Sequence, residues 1–89
     1  MTLYDKIKSL GNINTYSKHE QLVNGIIQAI DENIVKKGDK LPSINQMVSQ
    51  LGFARQTIVK AYEELKDRGL VESKKLKGYF VVSNETKVV

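Results

Sequence analysis

The sequence predicts a mostly α-helical domain closed by a small β-hairpin: a winged helix-turn-helix, preceded by a short N-terminal helix. Three observations carry the prediction. Two capping boxes, Ser17-x-x-Glu20 and Ser43-x-x-Gln46, open two separate amphipathic segments. The helical period then restarts directly after Gly52-Phe53-Ala54, giving two short helices around a tight glycine-containing turn. A basic pair of strand-forming segments with a glycine turn follows the last helix.

Residues 1–10 carry Leu3, Ile7 and Leu10 on one helical face, with Tyr4 beside them, and predict a short amphipathic helix. Such a stripe packs on the next helix or against a second copy. "GNINTY" breaks the period and reads as a connector, so residues 1–16 form an N-terminal helix and connector. Behind Ser17, the residues Leu22, Val23, Ile26, Ile27, Ile30 and Ile34 lie on one broad face and predict a helix over 18–35. Gly38 and Pro42 are expected to end it. Ile44, Met47, Val48 and Leu51 predict a short helix over 43–51 with Gly52 as its C-terminal cap. Ile58, Ala61, Tyr62 and Leu65 predict a helix over 55–68, capped by Gly69. Leu70, Val71, Phe80, Val81 and Val82 supply two strands, and Gly78 supplies the turn of a wing at 74–79. The predicted domain covers 17–83; residues 84–89 are a tail or the start of a linker.

Eighty-nine residues suffice for one small domain whose core needs most of its apolar side chains. The absence of cysteine excludes disulfides and thiolate chemistry, and His19 alone builds no metal site. His19 is expected to be exposed near its helix start. No apolar run approaches the roughly 18 residues of a membrane span. The N-terminus lacks a signal-peptide core, so the chain reads as cytoplasmic and the Asn84–Thr86 sequon as chance. Asp31 and Glu32 are adjacent, point in different directions on a helix and make no catalytic pair. With no nucleophile–base set and no phosphate-cradling glycine loop, neither an enzyme nor a cofactor is expected. The net charge of +4 suits a polyanionic partner. Its placement says more: Asp31, Glu32, Glu63 and Glu64 fall within helices, whereas Lys74, Lys75 and Lys77 crowd the wing. Tyr62 and Phe80 are expected in the core. The interleaved aromatic–basic pattern of single-strand binders is missing, and few exposed aromatics argue against RNA.

"GDKLPSINQMVSQLGFARQTIVKAYEELKDRGLVES", followed by "KGYFV", resembles the DNA-binding domain of the GntR family of bacterial transcription regulators. The resemblance covers roughly residues 17–83. Its marks are the G-D-x-L-P-S turn, L-G-x-x-R-x-T-V/I, A-Y-x-x-L-x-x-x-G-L-V and a terminal G-x-F-V. The A-Y-x-x-L form is similar to the YtrA-like branch and to domains fused to sugar-sensing modules. Three positions depart from the pattern. Ala54 replaces a Ser or Thr, Asn45 replaces an arginine often found there, and Leu76 replaces the first glycine of the wing.

Arg55, Gln56 and Thr57 begin the second helix of the helix-turn-helix. From spacing alone two readings stand level: a solvated helix start, or groups offered to base edges in the major groove. Arg can take guanine O6 and N7 together, and Gln can take adenine N6 and N7. The resemblance implies DNA contact for Arg55 and Thr57 above all, and for Gln56. It places Arg55 where the family has a principal DNA-contacting arginine. Lys60, about one turn on, is a phosphate contact or a solvated lysine. Val59 shares that side and meets a thymine methyl or the neighbouring helix. Ser43 and Asn45 begin the preceding helix, whose free amides attract phosphate. Ser43 is a cap first, and Asn45 offers a short, uncharged contact. Lys75 and Lys77 flank the wing tip and reach the minor groove or its phosphates; the bland alternative is a charged loop kept soluble. Leu76 packs on the wing base or touches sugar edges.

The expected partner is therefore double-stranded DNA, through a palindromic operator bound by a homodimer. The resemblance implies that an effector ligand binds in a separate domain, not this segment. A winged helix that docks a protein partner, with an incidental basic surface, is the alternative.

Overall fold

The computed structural model describes residues 2–12, 16–75 and 77–83. Within them the chain forms α1 (Leu3–Ser9), a 3₁₀ turn (Leu10–Asn12), α2 (Lys18–Asp31), α3 (Ile44–Leu51), α4 (Arg55–Asp67), β1 (Val71–Lys74) and β2 (Gly78–Val81). The readings made for Leu76, for the sequon and for the tail at 84–89 lie outside the described residues, as does the middle of the connector. No helix among the described residues is long and apolar enough to cross a membrane.

Both expected capping boxes are closed on both sides. Ser17 Oγ accepts the Glu20 amide at 3.1 Å, and the Glu20 carboxylate accepts the Ser17 amide at 3.1 Å. Ser43 and Gln46 do the same at 3.1 and 2.8 Å. A further box, Thr2 with Asp5, opens α1. Each satisfies two amides that the first helical turn leaves unpaired.

The structure corrects the C-terminal end of the first long helix. α2 stops at Asp31, not at 35. Asn33 takes a left-handed φ of 61°, the Ile34 amide donates to Ala29 O at 2.8 Å and the Asn33 amide to Ile30 O at 3.2 Å. That pair of bonds is a Schellman ending with Asn in the position more often held by Gly. Ile34 and Val35 continue the apolar pattern without continuing the helix, and Val35 packs into the core from the loop. The same pair of bonds closes α4, from Gly69 to Lys66 O and from Leu70 to Leu65 O.

One core joins the four α-helices and the hairpin. Leu22, Val23, Ile26, Ala29 and Ile30 of α2 meet Ile58, Ala61, Tyr62 and Leu65 of α4, with Met47, Leu41, Val71 and Val81 closing the sides. α1 lies on α2 through Leu3 and Ile7. A Cβ built on Gly25 would stand 2.8 Å from Ile7 Cγ1, so the absent side chain is what admits α1 so closely. Beside it the buried Gln21 amide donates to Ile7 O at 2.8 Å. Lys6 and Glu32 pair at 2.6 Å across the other end of this contact. Of the two places expected for the N-terminal stripe, the face of α2 is the one observed.

β1 and β2 pair antiparallel, with Val71 opposite Val81 and Lys74 opposite Gly78. The segment before α3 adds a single bridge, Lys40 to Phe80, held by bonds from Leu41 N to Tyr79 O and from Val81 N to Asp39 O. Strand alternation corrects one core assignment: Tyr79 and Val81 face the interior, whereas Phe80 is half-buried on the outward face with Lys74 Nζ 5.0 Å from its ring centre.

Candidate nucleic-acid interface

α3 and α4 meet through Gly52, Phe53 and Ala54. Gly52 has φ 71°, a conformation that a Cβ would penalise, and its amide donates to Val48 O at 2.9 Å. Phe53 is buried, and Lys18 Nζ lies 5.0 Å from its ring centre. The turn is thus anchored on one side by an aromatic plug and left exposed on the other at Ala54.

α4 divides cleanly between two faces. Ile58, Ala61, Tyr62 and Leu65 have no accessible surface. Arg55, Gln56, Lys60 and Glu63 are exposed, and Thr57 and Val59 are half-buried at the margin. Gln56, Val59, Lys60 and Glu63 recur at helical spacing and share one side. Glu63 closes this row with a negative charge, so the part of α4 suited to a polyanion is its first two turns. Ala54 gives the helix no side-chain cap, and the Thr57 amide donates instead to the Ala54 carbonyl at 3.0 Å.

Asn45 and Arg55 are brought together: the Asn45 amide oxygen accepts a hydrogen bond from Arg55 Nη1. The polar starts of both helices therefore form one exposed surface. Ser43 belongs to it as the cap of α3; its oxygen serves the Gln46 amide, which leaves the hydroxyl hydrogen free to point outward. Lys75 and Lys77 are exposed in the hairpin turn, where the Lys77 amide donates to Lys74 O at 3.0 Å. Lys40 stands next to them; its Cε lies 3.0 Å from where a Gly78 Cβ would be. Neither Lys40 nor the Asn45–Arg55 link was among the sequence-derived contacts. Each depends on a long-range pairing that no local pattern announces.

His19 is not simply exposed. Its Nε2 lies 2.8 Å from Glu64 Oε1, and Arg68 reaches Glu64 Oε2 at 2.8 Å. The His19 hydrogen bond is the main influence holding the Glu64 carboxyl below its ordinary range; partial burial opposes it and Arg68 adds to it. This cluster ties α2 to the far half of α4. With Lys6 on Glu32 and the Lys36 amide on Asp39, it engages acids within the fold. Among the described residues, no group of three or more His, Cys, Asp or Glu is placed to hold a metal ion.

Four helices, a two-stranded antiparallel wing and a polar-fronted second helix of the turn define a winged helix-turn-helix. The family model described as bacterial regulatory proteins, gntR family, matches residues 18–81. The chain belongs to that family. It is similar to the HTH-type transcriptional repressor YtrA of Bacillus subtilis (strain 168), at 30% identity over 66 residues, covering 74% of this chain and 51% of the repressor. It is also similar to the histidine utilization repressor of Klebsiella aerogenes, at 35% over 63 residues, covering 71% and 26%. Among solved structures, YtrA from Sulfolobus acidocaldarius, a GntR-family transcription factor, superposes with a TM-score of 0.74 and 36% identity, covering 81% of this chain and 61% of that one. The chain spans about half or less of the length of these curated relatives.

Proposed function

We propose that this domain reads a double-stranded operator with the N-terminal turns of α4 in the major groove and the wing beside the neighbouring minor groove, within a transcription regulator that acts in the cytoplasm. The observation that carries the proposal is the division of α4: its rear face is wholly buried, while Arg55, Gln56 and Lys60 stand exposed next to the start of α3. Phosphate contacts set register and base contacts set sequence. Lys60, Lys75, Lys77, Ser43 and the uncapped amides of α4 are assigned to phosphate. Arg55, Gln56 and Thr57 are assigned to bases, with Arg55 suited to guanine.

Two copies bound about 34 Å apart, one turn of duplex, would read a palindrome. The apolar stripe of α1 supports no dimer seam, because it is spent on α2. Dimerisation is therefore assigned to other surfaces than this stripe, and no effector site is assigned to this segment.

Selection of duplexes from a randomised pool by this chain, followed by titration across salt concentrations, tests the proposal. If each copy neutralises three to four phosphates, a bound pair gives log K against log salt a slope of roughly −5 to −7. No enrichment together with a flat salt response would sink the DNA reading and favour a protein-docking winged helix.

A further inference from the structure

We infer that Asn45 is a positioning residue for Arg55, so that the two read one base pair as a unit and Asn45 is not an independent DNA contact. This rests on the operator-reading function proposed above. The hydrogen bond from Arg55 Nη1 to the Asn45 amide oxygen crosses the helix-turn-helix, from the first residue of α4 to the second residue of α3. Both ends of the bond are well anchored in backbone. The first turn of α3 is fixed by the Ser43–Gln46 box. The first turn of α4 is fixed by Ile58 in the core behind it and by the Gly52–Ala54 turn.

The chemistry is directional. Guanidinium only donates, so holding it requires an acceptor. Asn45 supplies a neutral one, whereas a basic side chain at this position would have none and would repel Arg55. One N–H of Nη1 is used by Asn45. The remaining donors still include the two parallel N–H groups that guanine O6 and N7 require. An exposed arginine has many rotamers; the amide selects among them before DNA arrives, which lowers the ordering cost of binding. The benefit falls on the correct base alone, because that geometry is useful only where both guanine acceptors are in place.

The experiment uses the 89-residue chain and the duplex that the wild type selects from a randomised pool. Arg55→Ala first identifies the base pair whose preference it erases; wild-type discrimination there should be roughly five- to 150-fold. Asn45→Ala should cut that discrimination by roughly two- to tenfold, the range of a net hydrogen bond, without changing the melting temperature. In the Arg55→Ala background it should change nothing further. Asn45→Asp keeps an acceptor and should retain the preference while weakening all duplexes by its added negative charge. Asn45→Arg should strengthen all duplexes and lose the preference. Uniform weakening by Asn45→Ala with the preference intact would overturn the inference and make Asn45 a backbone contact. Loss of preference at a different base pair would overturn it in favour of direct reading by Asn45. A wild type that selects no sequence would overturn the operator-reading function itself, and this inference with it.

Discussion

The Tyr62 hydroxyl donates to the Pro42 carbonyl at 2.6 Å. The bond ties the middle of α4 to the residue that precedes the cap of α3, and so fixes the two helices that carry the candidate interface. Tyr79 of the wing packs edge-on against the Tyr62 ring, with centroids 4.7 Å apart and planes at 67°. One side chain therefore links both helices of the turn to the hairpin. Burial pushes the Tyr62 phenol well above its ordinary range, which favours the protonated hydroxyl that donates this bond.

Tyr62→Phe should keep the ring packing and lose only that bond. The cost should be about 1–2 kcal/mol, because the Pro42 carbonyl loses its partner in a half-buried place. Urea unfolding should show a lower midpoint with an unchanged slope. A variant as stable as the wild type would mean that water satisfies the Pro42 carbonyl equally well.

Gly25→Ala tests the seat of α1. Alanine is ordinarily the better helix former by about 1 kcal/mol, but here its methyl would meet Ile7 at 2.8 Å, with the Ile7 Cα at 3.0 Å. Overpacking of this kind costs about 1–3 kcal/mol, so the substitution should destabilise or, at best, break even. Amide exchange should accelerate chiefly in α1. Ile7→Ala should cost about 2–5 kcal/mol, as for a fully buried side chain. Net stabilisation by Gly25→Ala would show that α1 does not rest on α2 in solution.

Glu64 predicts a modest pH dependence. Its carboxyl is held below the ordinary value of 4.5, first by the His19 hydrogen bond. A depressed value in the folded state means that the contribution is complete above 4.5 and is lost as the pH falls through the folded value. The group is about a third exposed, so the loss should be roughly 0.5 kcal/mol or less. Glu64→Gln should remove this portion of the acid-side slope in chemical unfolding, and His19→Ala should reduce it. An acid limb identical in all three proteins would place the dependence on other carboxylates.

The helices were legible because their signals are local. Ser17 with Glu20 and Ser43 with Gln46 announce their own starts, and the apolar faces of α3 and α4 repeat at the helical period. The end of α2 was not legible, because Ile34 and Val35 continue an apolar pattern through a left-handed Asn33. Phe80 was misplaced because "YFVV" is apolar on both faces of a strand, and only its pairing with Glu72 fixes which side faces out. The box at Thr2 was missed because Asp5 is shorter than the Glu or Gln usually sought there. In the candidate site, the exposed residues of α4 followed from its period. Their partners did not: His19 with Glu64, Lys40 with Phe80 and Asn45 with Arg55 are joined by the angle between elements, which no short window contains.

The sharpest prediction separates reading from holding. Arg55 is exposed at the first residue of α4, and Lys75 and Lys77 are exposed in the hairpin turn. A guanidinium that makes two bonds to one guanine contributes only where that guanine is present. Arg55→Ala should therefore cost about 1–3 kcal/mol on the selected operator, much less on a scrambled duplex, and flatten preference at one base pair. An ammonium beside a phosphate meets the same charge on every sequence. Lys75→Ala or Lys77→Ala should weaken operator and scrambled duplex by similar factors and reduce the salt slope by about one charge. None of the three should shift unfolding by more than about 0.5 kcal/mol, as befits exposed positions. Binding of each variant to both duplexes at two salt concentrations decides the matter. If Arg55→Ala weakened both duplexes equally and left base preference intact, Arg55 would belong to the phosphate backbone, and sequence reading would pass to Gln56 and Thr57.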